Sequence, residues 1–304
     1  MKRSFSLCGV FLLFAVLFSC TSSPAASRSE SSASSVHAGS SVWVVGKNGN
    51  TMFLGGSIHV LRNRDFPLPK EFDRAIEQSS MLVLEADVEK MDDPNIAQYV
   101  MMRMFLPGGK TLESVLDSKT FAMLKAKCEG VGVPIESVAG IKPSMVITML
   151  SVLEMEGSGF AEQGIDMYCL EKAKKAEMPI GFLETVEAQI DMLVTMGDGY
   201  ENDFVKYSLY DMNNTGNDLA SIVSEWRTGS AANTEETIKE MKNQWPVLYQ
   251  DLLVNRNKAW LPRLEEYLTG GKTVFVVVGL AHLHGPDGLL RRLKDSGCTV
   301  EQFR

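Results

Sequence analysis

Thr273–Gly285, TVFVVVGLAHLHG, is the stretch that most limits how this chain folds. A short continuous apolar run closed by Gly279 reads as a strand buried on both faces. It hands His282 to whatever follows the strand. Far upstream, Thr51–Val60, TMFLGGSIHV, repeats the arrangement: an apolar run, a glycine pair, then His59. Both are G-x-x-H after a strand, Gly56 to His59 and Gly279 to His282. A sheet that shares these two strands carries both histidines to one edge. A third apolar run, Met81–Leu84, lies between them in sequence and ends at Glu85. Two imidazoles and a carboxylate at strand exits mark a candidate active site above the sheet.

The remaining chain says how that sheet is built. Val42–Val45 and Thr51–Leu54 flank Asn48-Gly49, a strong signal for a hairpin. Pro179–Leu183 is a short strand candidate and Cys298–Phe303 a terminal one. Helical spacing of apolar residues covers Pro69–Ser79, Ala97–Phe105, Leu112–Glu129, Pro143–Glu154, Gly164–Glu177, Glu201–Met212, Asp218–Trp226, Glu235–Met241 and Val247–Leu268, with a last helix over Gly288–Ser296. Asn213–Asn217 and Thr228–Asn233 read as breaks. The expected architecture is α/β: a central mixed sheet from N- and C-terminal strands, with a helical middle region acting as a cap.

Outside the domain, residues 1–19 read as an export signal. Met1-Lys2-Arg3 is a basic start, and Cys8–Phe18 is apolar but short for a spanning helix. The segment ends Leu17-Phe18-Ser19-Cys20, which resembles a relaxed bacterial lipoprotein signal. Cys20 is then the lipidated first residue and the membrane anchor; an ordinary secretory cleavage nearby is the alternative. Either way the chain is exported, and a lipid on Cys20 places it in the cell envelope. Residues 20–41 are Ser/Ala-rich and form a tether, leaving 42–304 as the folded domain. Cys128, Cys169 and Cys298 have no C-x-x-C spacing and read as buried apolar side chains. A net charge of -8, with no dense Lys/Arg run, excludes a general nucleic-acid binder.

Chemistry therefore concentrates on few residues. The chain has four histidines; His37 lies in the tether, and His284, two residues past His282, reads as a solvated loop residue, with an extra metal ligand as the alternative. Two histidines and Glu85 are an open ligand set for a catalytic divalent metal, which would activate water. Without a metal, a histidine beside a carboxylate can serve as general base; the residues alone leave both open. H-E-x-x-H is absent, so no helix-borne zincin is expected. Asp87, two residues past Glu85, is a candidate supporting acid, with a helix N-cap or a surface charge as the alternative. Glu184 and Gln189 stand at a strand-to-helix junction, and Arg256 lies on the long helix.

With G-S-I-H, L-E-A-D and G-L-A-H in place, the chain resembles the TraB/PrgY/GumN family, which includes the Tiki proteases. G-I-D-M-Y at Gly164–Tyr168, F-L-E-T-V-E-A-Q at Phe182–Gln189 and L-V-N-R-N-K-A-W at Leu253–Trp260 extend the resemblance. It implies a fold related to the erythromycin-esterase/ChaN-like group. For Tiki-like members it implies metal-dependent peptide hydrolysis, with manganese or cobalt favoured and zinc as another choice. By position, His59, Glu85 and His282 match the catalytic or metal set, and Glu184, Gln189 and Arg256 match other polar motif positions. Arg256 is then expected to hold a carboxylate or an oxyanion. His284 and Lys142-Pro143-Ser144, which lacks an aromatic residue after the proline, depart from the pattern. The expectation is an exported hydrolase acting on a peptide or small-molecule substrate. The alternatives are a binding lipoprotein for a peptide, metal or porphyrin, or an envelope partner protein with a degenerate site.

Overall fold

A computed structural model describes residues 39–59, 61–157 and 164–304, with side chains 63, 155–157 and 213–220 left out. Residues 1–38, with the export signal and Cys20, lie outside the described residues. The tether ends earlier than expected: Gly39–Ser41 are already built in. Ser41 N–H donates to Trp226 O at 3.0 Å, and Ser41 O accepts from Gly56 N–H at 2.8 Å.

Six strands form one sheet: β1 (Val42–Lys47), β2 (Asn50–Ser57), β3 (Leu82–Leu84), β4 (Ile180–Phe182), β5 (Val274–Gly279) and β6 (Thr299–Gln302). Their order across the sheet is β4-β3-β5-β2-β1-β6. β1 and β2 make the expected hairpin, closed by Asn48 and Gly49 at φ 51° and 82°. Both residues are left-handed, as a two-residue turn between twisted strands requires. β6 pairs antiparallel with β1 at the edge. β4, β3, β5 and β2 run parallel, so their C-terminal ends share one rim.

The central strand is covered on both faces, which explains its unbroken run of valines. Phe275 and Val277 pack with Phe53, Phe72 and Trp226. Val274, Val276 and Val278 pack on the opposite face with Trp260, Leu264 and Leu289. The helical middle builds its own core from Leu124, Leu150, Phe204, Leu209 and Leu252. The fold is thus an α/β sheet with a separately packed helical region, as expected. Cys128, Cys169 and Cys298 are buried and unpaired.

Three expectations about helices fail, and the first is Leu112–Glu129, which is two helices, Leu112–Val115 and Ser118–Gly130. The break at Asn213–Asn217 is absent: the backbone stays helical from Glu201 to Thr228. Its first half is anchored in the helical core by Phe204 and Leu209, and its second half against the sheet by Val223 and Trp226. That burial outweighs the low helix propensity of the Asn/Gly stretch. The helix expected over Val247–Leu268 has three parts: Pro246–Tyr249, a π-helical turn at Gln250–Val254, and Asn255–Thr269. Ser144, where an aromatic was missing, is buried and donates to Val194 O at 3.1 Å; a bulky ring there would have to displace that packing.

Candidate active site

Each parallel strand releases one polar residue at the shared rim. In sheet order these are Glu184 after β4, Glu85 after β3, His282 after β5 and His59 after β2. The strand order therefore brings together four residues that are far apart in sequence. Gly279 marks the meeting point. A methyl group built on it would lie 3.4 Å from Glu85 Oε1, 3.5 Å from His282 Cδ2 and 4.0 Å from His59 Nε2. Only glycine leaves that space open.

Arg256 organises the centre from the helix Asn255–Thr269. It is buried, although an arginine on a helix is ordinarily a surface charge. Its Nη2 donates to Glu85 Oε2 at 2.5 Å and Glu184 Oε1 at 2.6 Å, and its Nη1 lies 3.0 Å from His282 Nε2. Planar geometry with several donors lets one guanidinium serve three acceptors. Trp260 Nε1–H holds Glu184 Oε2 at 2.9 Å, and the Trp260 ring lies under the Arg256 guanidinium at 4.5 Å. Gln189 Nε2 donates to Glu85 Oε2 at 3.3 Å, and Gly279 N–H donates to Glu85 Oε1 at 2.7 Å. Glu85 is thereby fixed in position, with Oε1 turned toward the open space at Gly279.

The two matched histidines have opposite surroundings. His282 sits in a short helical turn, Leu280–Leu283, directly after β5. Its Nδ1 lies 2.7 Å from Asn257 Oδ1, and that oxygen accepts only from N–H. Nδ1 therefore carries the hydrogen, and Nε2 accepts from Arg256. Burial, then the Arg256 charge and His59, hold its pKa well below the ordinary value. His282 is a neutral imidazole.

His59 Nδ1 lies 2.6 Å from Asp166 Oδ2, and its side chain is 16% exposed. Burial works against a charge there. The Asp166 carboxylate, by charge and hydrogen bond, outweighs it, with Glu85 adding to the effect, and the pKa rises to about 9. Asp166 keeps its own charge despite burial because His59 faces it and Ser57 stands beside it. His59 is therefore an imidazolium at neutral pH, with Nε2–H directed toward the space at Gly279.

The neighbourhood of His59 depends on a second glycine. A methyl on Gly164 would lie 2.2 Å from His59 O. Ile165 N–H also donates to Ile58 O at 3.1 Å, which locks the helix Ile165–Lys175 to the end of β2. Asp166 was overlooked as a site residue, although it lies within G-I-D-M-Y; the signal was an acid at the start of a helix beside a glycine. Asn257, next to Arg256, was overlooked too. Asp87 does not support Glu85: its carboxylate faces Lys90 at 3.9 Å. β3 ends at Leu84, so the two-residue alternation does not carry on to Asp87. His284 is not solvated but buried, edge-on to Trp43 at 5.3 Å, with Nε2 lacking a hydrogen bond and its pKa pushed by burial to about 4.

The donor set does not fit a divalent metal in this arrangement. Glu85 Oε2 and His282 Nε2, two of the expected ligand atoms, are both bonded to the Arg256 guanidinium. A dication there would share the space with a fixed positive charge and with the His59 imidazolium. Among the described residues no group of three or more His, Cys, Asp and Glu side chains is arranged to hold a metal ion.

A cleft of about 620 Å³, its open mouth included, lies over these groups. His59, Glu85, Arg256, Gly279 and His282 line one side. The other side comes from the helical region.

The sequence model of the TraB/PrgY/gumN family matches residues 41–302. A protein of Escherichia coli K12 named YbaP, described as uncharacterized, is 29% identical over 250 residues, covering 81% of this chain and 89% of its own. The YbaP of Shigella flexneri, likewise described as uncharacterized, is 29% identical over 244 residues, covering 79% and 87%. No solved structure matches significantly.

Proposed function

The chain belongs to the TraB/PrgY/gumN family, and from that premise we propose that it is an exported, envelope-tethered hydrolase of carbonyl compounds, with peptides as the first substrates to try. One observation carries the reading: a fixed carboxylate oxygen, Glu85 Oε1, and a charged imidazole, His59, face one open point at Gly279 beside a cleft. A carboxylate oxygen and an imidazole N–H that meet at one point suit acid–base work.

In this reading Glu85 Oε1 takes a proton from water as the water oxygen attacks the carbonyl carbon. His59 Nε2–H donates a hydrogen bond to the carbonyl oxygen as its negative charge grows. The proton on Glu85 then passes to the leaving amine or alkoxide, and the tetrahedral centre collapses to acid and amine, or acid and alcohol. Arg256 holds Glu85 in place, and neutral His282 and Glu184 hold Arg256. The leader and Cys20 supply the membrane attachment, which palmitate labelling that disappears in Cys20→Ala would support.

The test uses the full chain and a peptide library, after chelator treatment and again with manganese, cobalt or zinc. Turnover without metal, reduced about 100-fold or more by Glu85→Gln and by His59→Ala, is expected. Turnover that needs added metal returns His59, Glu85 and His282 to ligand roles. Tight binding of a peptide, metal or porphyrin with no turnover favours a binding protein instead.

A further inference from the structure

The wall that the helical region gives the cleft is built from Ile222, Thr234, Thr237, Leu252 and Leu253. Both threonine hydroxyls have spent their hydrogens elsewhere: Thr234 donates to Glu225 Oε2 at 3.1 Å and Thr237 to Asn233 O at 2.9 Å. That wall therefore presents methyl groups and no free donor or charge.

On the polar side, the two positions that face the cleft, Glu85 Oε1 and His59 Nε2–H, serve water and the carbonyl group in the hydrolase reading, and the Arg256 guanidinium is taken by Glu85 and Glu184. A charged side chain seated against the apolar wall would lose its hydration without a partner there, a large cost in a buried site. Leu252 and Leu253 belong to the π-helical turn Gln250–Val254, directly before the helix that carries Arg256. Such turns inside helices are frequent at functional sites.

We propose that this wall is a side-chain subsite, and that the cleft selects an uncharged, apolar group next to the reacting carbonyl. The inference rests on the hydrolase reading, but binding tests it without turnover. The probes are N-acetyl-leucinamide, N-acetyl-lysinamide and the α-amide of N-acetyl-aspartic acid, measured with the full chain by ligand-observed NMR. The leucine compound is expected to bind at least about tenfold more tightly than either charged one. Leu252→Phe, which fills the wall and keeps its character, is expected to shift the preference toward the smaller N-acetyl-alaninamide. Equal binding of charged and apolar probes, no binding of any, or an unchanged preference in Leu252→Phe would overturn the proposal. Selective binding without hydrolysis would sink only the hydrolase reading. Hydrolysis without side-chain preference would sink only this subsite.

Discussion

Asp166 places a carboxylate oxygen 2.6 Å from His59 Nδ1, and this contact separates the two histidines that look alike in sequence. His59 gains a buried counter-charge. His282 gains a guanidinium at Nε2 and an amide oxygen at Nδ1. The same G-x-x-H motif thus yields an acid on one strand and a neutral positioning group on the next.

Asp166→Asn removes the larger counter-charge, so that burial and Arg256, which lower the His59 pKa, are opposed only by Glu85. In the parent, activity is expected to fall as pH rises through about 9, where His59 loses its proton. The variant is expected to lose activity already near neutral pH. A pH–rate profile of kcat/KM checks this; an unmoved alkaline limb would contradict the role given to Asp166.

The same contact makes folding stability depend on pH. The folded pKa of about 9 exceeds the ordinary 6.5, so the folded state binds the proton more tightly than the unfolded state. The stabilisation, about 3 kcal/mol, is fully present below pH 6.5 and is lost as pH rises through about 9. Urea unfolding across pH 6 to 10 is expected to show that loss in the parent and not in Asp166→Asn.

Arg256→Met leaves the buried Glu85 and the half-buried Glu184 without their cation. A destabilisation of about 3–5 kcal/mol is expected by urea unfolding. Arg256→Lys keeps a charge but lacks the flat, multiply donating head that serves three acceptors, so it is expected to recover only part of the loss. A Met variant as stable as the parent would show that the guanidinium does not hold the centre together.

Much of this was legible in the sequence because it depends on short-range patterns. Asn48-Gly49 fixes a hairpin by turn geometry alone. A short valine-rich run closed by Gly279 reads as a strand with both faces covered. Once the strand order was known, His59, Glu85, Glu184 and His282 converged without further assumption. What was hidden depends on long-range partners. Asp166 is separated from His59 by 107 positions, and no local pattern distinguishes it from a helix-start acid. Arg256 sits on a helix whose exposed turns look much like its buried ones. His284 looks like a loop residue until Trp43 is seen packed against it. Asp87 failed because alternation ended with the strand at Leu84.

Gly164→Ala tests whether the helix start sets the His59 position. The added methyl would meet His59 O at 2.2 Å, and backbone cannot yield as a side chain does. Overpacking of this kind costs about 1–3 kcal/mol, and His59 should move away from Asp166 as well. The alkaline limb of the activity profile is therefore expected to shift downward together with a lower melting temperature. A lower melting temperature with an unmoved limb would make Gly164 a packing residue only.

The most direct measurement is a ¹⁵N NMR titration of the histidine side chains, assigned through His59→Gln and His282→Gln. His59 is expected to titrate near pH 9 and to stay charged at pH 7. His282 is expected to remain neutral, with the hydrogen on Nδ1, throughout the range above pH 6.5. A His59 that titrates at or below 6.5, or a His282 that is charged at pH 7, would contradict the division of labour proposed for the two motifs.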